Sequence, residues 1–505
     1  MCRPSSRILV LSAIAGLGSA SCVRLGVGSI ADDAVDASLT TDAEASDAVA
    51  IDAVASDAAA TDAAVDDTGV GDAWADDAAT GDAGTSASLS LEIDPSFGGA
   101  SGYVSWQGTS PGDNFVSDVA FDANGRMLVL GMTFNTGSLR DLALWRLATD
   151  GVPDPTFADG GYLKYSASPY DWGSRIFPLA SGRILVVGNI DYGTDDPTIW
   201  RFTEDGGLDV SFGQSGRARI VLPGEVQGHS GALDLAGRVY LLGRQFGNWF
   251  DVSRFSSDGA RDTTFAQGSG HFTFNALPSS SGVEIKLDNA GRPVVVGGVR
   301  PRGATTDSDL GVWRFTEDGL LDVDFGEDGI FIHDGAAREG SGGNGGGGND
   351  GGSDVIFMAD DSMIVVGHSA NTSTVSQMTL WKLQPNGTLD ASFGNQGVVT
   401  QSSPVGHAGG TTGTRILRQD ETHFLVVGSA IEGDDSKRIA IWRMTIDGDL
   451  DPSFENGGWF KRESMAYEEA LSATWDGANR LVIGGRRAEP TTTEAAVWRF
   501  EFRPR

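Results

Sequence analysis

An all-β fold is what this sequence predicts, on three observations. A string of the form [Asp/Asn]-Gly-x-x-Asp-x-x-Phe recurs six times at a near-constant interval. Between its copies lie the same four short apolar runs, each cut by turn residues. No helical periodicity recurs from copy to copy. Short runs of strand length, rich in β-branched and aromatic residues and bounded by turn formers, read as strands. A fixed period of this size marks a solenoid, propeller or array.

The string appears at Asp150 to Phe157, Asp205 to Phe212, Asp258 to Phe265, Asp318 to Phe325, Asn386 to Phe393 and Asp447 to Phe454, with a half copy at Asp94 to Phe97. The first period shows the four runs: Tyr103 to Trp106, Val116 to Asp122, Arg126 to Leu130 and Leu142 to Leu147. Asn124-Gly125 between the second and third is a tight-hairpin signal. Ser181-Gly182, Ala236-Gly237 and Ala290-Gly291 stand at the same place later. The third run ends at Gly131, Gly188, Gly243, Gly297, Gly367, Gly428 and Gly484. The fourth carries Trp145, Trp200, Trp313, Trp381, Trp442 and Trp498, with Ser253 in their place in the third copy. Four antiparallel strands repeated about an axis make a β-propeller. Seven such glycines and seven such fourth strands predict seven four-stranded blades over residues 87–505. Blade seven would then pack on blade one, and Ser88 to Ile93 would add a clasping strand. A parallel β-helix is the rival, but its coils are shorter and lack hairpins; two smaller propellers side by side are a further arrangement.

The residues ahead of the repeat are of another kind. Arg3 and Arg7 precede an apolar run, Ile8 to Ala20, too short to span a bilayer. Small residues then lead to Cys22. Residues 1–22 thus resemble a bacterial lipoprotein signal, with Cys22 the lipidated residue, although Ser19 stands where such signals usually carry Leu. A plain secretory signal cut near Ala20 is the alternative. Residues 23–86 are an acidic linker. From Ala31 to Ser86 there are fourteen Asp, one Glu and neither Lys nor Arg. Asp every five residues leaves no apolar helical face, and like charges repel, so a disordered tether is expected. Extended, it would reach roughly 180 Å.

The repeat resembles the delta-60 repeat family, on Gly-x-x-Asp-x-x-Phe-Gly, the hairpin turn, Val-Val-Gly and Trp-Arg-Phe before Asp-Gly, over about Ile93 to Phe500. The resemblance implies a propeller-like fold in a secreted or surface protein and is silent on activity. Two copies depart from the pattern: Ser253-Arg254 replaces Trp-Arg, and Glu455 follows its Phe where most copies have Gly or Ala.

Charge excludes some functions. With 69 acidic against 36 basic residues the formal net charge is -33. A phosphate-binding face needs clustered Lys and Arg, so nucleic acid is not an expected partner, and a membrane is expected only through a lipid on Cys22. Both cysteines, Cys2 and Cys22, lie near the start, so the repeat region has no disulfide and no Cys metal site. The Asp of the string reads as a turn former, which accepts backbone N–H groups; one calcium per blade is the other reading. The basic residue beside each Trp position (Arg146, Arg201, Arg254, Arg314, Lys382, Arg443, Arg499) either covers a blade edge or pairs with a turn carboxylate. His229, His271, His333, His368, His407 and His423 form no metal or nucleophile motif, and no phosphate loop or Gly-x-Ser-x-Gly elbow occurs. No catalytic, cofactor-binding or metal residue is therefore assigned.

The resulting expectation is a monomeric, non-enzymatic propeller that binds a protein or a polysaccharide, held in the cell envelope as an outer-membrane lipoprotein or else secreted. The alternative is a secreted carbohydrate-active hydrolase or lyase using acidic residues at the propeller's central face.

Overall fold

The computed structural model describes residues 88–505, apart from 111, 192–194, 223–225, 246–248, 301–307, 339–348, 371–374, 403–408, 433–435, 478 and 490–491. The signal, Cys22 and the acidic linker lie outside the described residues.

Among the described residues, twenty-nine strands and two single-turn 3-10 helices, Ala266–Gly268 and Ala336–Arg338, make up the regular structure. The strands form six sheets, one of them an eight-stranded sheet. That one is two four-stranded sheets joined by a single parallel bridge, Arg140 to Tyr170. Counted apart, the sheets are seven. The first runs Phe115–Phe121, Met127–Asn135, Ser138–Leu147, Tyr162–Tyr165, each strand antiparallel to the one before. The other inner strands are Tyr170–Pro178, Val226–Leu233, Ser279–Leu287, Gly351–Phe357, Thr411–Arg418 and Tyr467–Asp476. Each inner strand packs on the next, and the seventh packs on the first, so the sheets close into a ring.

Seven apolar cores fill the ring, each built from two neighbouring sheets. Both faces of a sheet are therefore covered. This explains why the second strand of each sheet reads as an unbroken apolar run such as Met127 to Leu130, all fully buried. The Trp positions face the preceding sheet: Trp200 packs among Leu128, Leu130 and Leu142 of the first.

The strand phase differs from the sequence expectation. The Trp strands are third strands, not fourth. Tyr103–Trp106, expected to open the first blade, pairs instead with Ala495 to Trp498 and is the outer strand of the seventh sheet. Leu89–Ile93 pairs with Phe500 to Pro504 on the same side of that strand, as the clasp expected there. The seventh sheet packs on the first, as expected, and strands of the N-terminal side complete that last sheet.

Candidate functional site

The repeated string is a joint between sheets. In each copy the second Asp accepts the backbone N–H two residues on, as in Asp154 with Thr156 (2.9 Å) and Asp209 with Ser211 (3.1 Å). Its other oxygen meets the basic residue beside the Trp position: Arg146–Asp154 2.8 Å, Arg201–Asp209 2.8 Å, Arg254–Asp262 2.7 Å, Arg314–Asp322 2.7 Å, Lys382–Asp390 3.3 Å and Arg499–Asp94 2.8 Å, with Arg443 on Asp451 likewise. Of the two roles foreseen for these cations, pairing with the turn carboxylate is the one observed.

Most of the guanidinium groups do more. Arg201 lies over the Phe212 ring (4.7 Å) and donates through Nη1 to the Ser257 carbonyl of the next sheet's turn (2.8 Å). Arg254 does the same with Phe265 (4.8 Å) and Glu317 (2.7 Å). The Asp-Gly turn of the next sheet rests on the Phe of the last. At Gly319, φ is +82° and a Cβ would stand 2.4 Å from the Phe265 ring, so that turn excludes a side chain on two counts. These Asp side chains are thus committed to holding neighbouring sheets together.

A second feature lies at the centre. Every inner strand is interrupted by a register shift, for example between Gly173 and Arg175, Gly282 and Glu284, and Gly413 and Arg415. A bulge bends the strand and re-aims a side chain. The residue after each shift is Asp118, Arg175, Ser230, Glu284, Asp354, Arg415 and Ser472 in turn. These cross-link the ring. Arg175 Nε reaches Glu284 Oε1 at 3.1 Å, and its Nη2 the other oxygen. Glu284 also accepts from Ser230 Oγ (2.7 Å) and lies 3.5 Å from Arg415. Asp118 accepts from Ile176 N (3.0 Å) and Ser472 Oγ (2.8 Å). Asp354 pairs with Lys286 (3.0 Å) and accepts from Ile416 N (3.1 Å). Burial acts to raise the Asp354 pKa, but Lys286 and Arg415 hold it below the usual carboxylate range.

Above this network opens a cup of about 410 Å³, lined from six of the seven sheets. Among the described residues its wall carries Arg140, Arg175, Arg415 and Arg486, with Glu284 and Asp113 as the carboxylates, and Trp172 and Phe115 as aromatic faces. His229 lines it too. Burial, with Arg244, Arg175 and Arg415 nearby, pushes that imidazole down to about 4, so it is neutral at pH 7. Its Nδ1 stands 3.1 Å from the Val283 carbonyl. Among the described residues no group of three or more His, Cys, Asp or Glu is placed to hold a metal ion.

A family profile described as a domain of unknown function (DUF5122) beta-propeller matches residues 123–157, 179–212 and 359–393. Each matched segment ends on the Phe of the joint: Phe157, Phe212 and Phe393. The fold is a β-propeller.

No curated protein matches the sequence. Among solved structures, the propeller resembles a protein of unknown function from Dyadobacter fermentans (11% identity, TM-score 0.41, 80% of this chain and 98% of that one). It also resembles the propeller domain of the Trilobed protease from Pyrococcus furiosus, which has an open velcro topology (9%, 0.41, 77% and 96%). A third is the PQQ-bound aldose sugar dehydrogenase from Streptomyces coelicolor (15%, 0.35, 66% and 94%).

Of the cup residues only His229 was named from sequence, and there without a role. The signal for three of them is Gly-x-polar in the inner strand, as in Gly173-Ser174-Arg175, Gly282-Val283-Glu284 and Gly413-Thr414-Arg415.

Proposed function

We propose that this chain is a non-enzymatic binding module of the cell envelope, anchored through Cys22 or secreted, whose propeller takes a protein or polysaccharide ligand at the central cup. The observation that carries the reading is the cup itself. A pocket of this size with a few convergent polar groups on a rigid scaffold is the usual form of a ligand site. The acidic residues that the enzymatic alternative requires are present at the centre, as Asp118, Glu284 and Asp354. All three are engaged in cross-linking the ring, and Asp354 is driven away from the raised pKa that a general acid needs. That favours binding over hydrolysis. The stretch from Ala31 to Ser86 suits a solvated spacer between an anchor and the propeller.

The test is a glycan array combined with pull-down from envelope extracts, using full-length protein. Retention of a defined ligand without its turnover is the expected result. Cleavage of a retained glycan would replace this reading with the hydrolase or lyase. No ligand from either source would overturn it.

A further inference from the structure

We propose that the central cup binds the carboxylate of an acidic sugar, a hexuronate unit of a glycan. This rests on the binding reading above and names its ligand class. Four guanidinium groups face two carboxylates in the cup wall, on a chain whose formal net charge is -33. A cationic cup in an acidic protein attracts an anion against the repulsion of the chain's overall charge.

The four are not equivalent. Arg175 and Arg415 share Glu284, and Arg486 is held by Glu469 (2.6 Å). Among the described residues Arg140 makes no ion pair. Instead its guanidinium stands over the rings of Phe134 (5.5 Å) and Tyr170 (5.7 Å), which fix it in place. A guanidinium fixed this way offers a planar fork matched to a carboxylate. Trp172 and Phe115 add flat apolar faces of the kind a pyranose ring covers, and about 410 Å³ holds one or two such rings. His229, being neutral, neither repels nor attracts the anion at pH 7.

The experiment compares full-length protein binding to two oligosaccharides that differ only in a glucuronate or a glucose at one end, by titration calorimetry at low and high salt. The acidic sugar is expected to bind at least tenfold tighter, with the difference shrinking as salt rises. Arg140→Gln should remove about tenfold of that binding, whereas Arg503→Gln, outside the cup, should leave it unchanged. Should Arg140→Gln melt early, Arg140→Lys, which keeps the charge but not the planar fork, should still prefer the acidic sugar while binding it more weakly. Equal binding of the two sugars, or an unchanged Arg140→Gln, overturns the ligand class while leaving a binding module. Preference for a peptide carboxylate over both sugars does the same. Absence of any ligand, on array or in pull-down, overturns both readings.

Discussion

Arg499 and Asp94 stand 2.8 Å apart, though 405 residues separate them in sequence. They are the same pair as Arg146 and Asp154, which are eight residues apart. Six joints of the ring are local and this one is not, because the seventh sheet takes its turn and outer strand from the N-terminal side. Arg499 is 1% exposed, and its Nη1 also lies 3.0 Å from Asp476. Removing one partner of a buried pair leaves a desolvated charge, typically costing ~3–5 kcal/mol, and Asp476 offsets part of that. Asp94→Ala is therefore expected to cost about 2–3 kcal/mol in urea melts. Asp390→Ala, whose partner Lys382 is half-buried and 3.3 Å away, should cost about 1 kcal/mol. The reverse order would refute the special weight given to the closing pair.

Glu455 explains one break in the repeat. Its N–H donates to the Leu89 carbonyl (2.9 Å), where the other copies donate to the Asp or Asn carbonyl of the next Asp-Gly or Asn-Gly turn. Its carboxylate accepts from the Leu91 N–H and from Arg505 (2.8 Å). It holds φ at +42°, a strained value for a non-glycine residue, as does Ala158 at +43°. Glu455→Gly relieves the strain but abandons both bonds, and a net loss of about 1 kcal/mol is expected. Ala158→Gly, with no side-chain bond to lose, should be neutral or slightly stabilising. Equal effects at the two sites would mean that the carboxylate does not hold the clasp.

The sequence showed the sevenfold repetition because each period repeats residues whose place admits little variation: Gly at a turn, Trp in a core, Asp-x-x-Phe in a joint. It could not show where a sheet begins. Sheet and repeat share one period, so any of the four runs serves equally well as the first, and the sequence alone puts Tyr103–Trp106 in the first sheet although it belongs to the seventh. The cup was hidden for a different reason. The bulge position is structurally repeated but chemically varied, from Asp118 through Ser230 to Arg415, and a scan for recurring residues passes over it.

The third copy departs where Trp gives way to Ser253, and the space is polar. Asp251 accepts from Ser253 Oγ (2.6 Å), Thr273 Oγ1 (2.8 Å) and His271 Nδ1 (2.8 Å). The hydrogen bond to Asp251 raises the His271 pKa, against an opposing effect of partial burial. A folded-state pKa above the unfolded value means that the stabilisation is complete below the unfolded pKa, ~6.5, and is lost as pH rises through the folded one. His271→Gln should accordingly lower stability by about 1 kcal/mol at pH 5.5 and by less at pH 8.5. A larger loss at the higher pH would contradict the assignment of a protonated His271 to this pair.

Anchoring through Cys22 makes its own forecast. Full-length protein should partition into the detergent phase of a membrane extract, and Cys22→Ala should move it to the aqueous phase. Identical partitioning of the two would leave a plain secretory signal as the reading of residues 1–22.

The joint Asp gives the last prediction, where turn and calcium readings diverge. Hydrogen bonding from Ser211, joined by Arg201, pulls the Asp209 carboxyl down to about 2 despite its burial. A depressed carboxylate contributes stability above its unfolded pKa, ~3.8, and loses it as pH falls through the folded value, so this contribution should vanish between about pH 4 and 2. Asp209→Ala is expected to cost about 1–3 kcal/mol at pH 7, since it strands Arg201 and the Ser211 N–H, and to flatten the acid limb of the stability profile. Arg183, 2.8 Å from the same oxygen and largely exposed, can swing into water and should add little. The cost should be the same in calcium and in chelator, because Arg201 already occupies the position a cation would take. A melting temperature that falls by several degrees on chelation in the parent, and not in Asp209→Ala, would show that a metal rather than the guanidinium neutralises this carboxylate, by the linkage that ties native-state binding to stability.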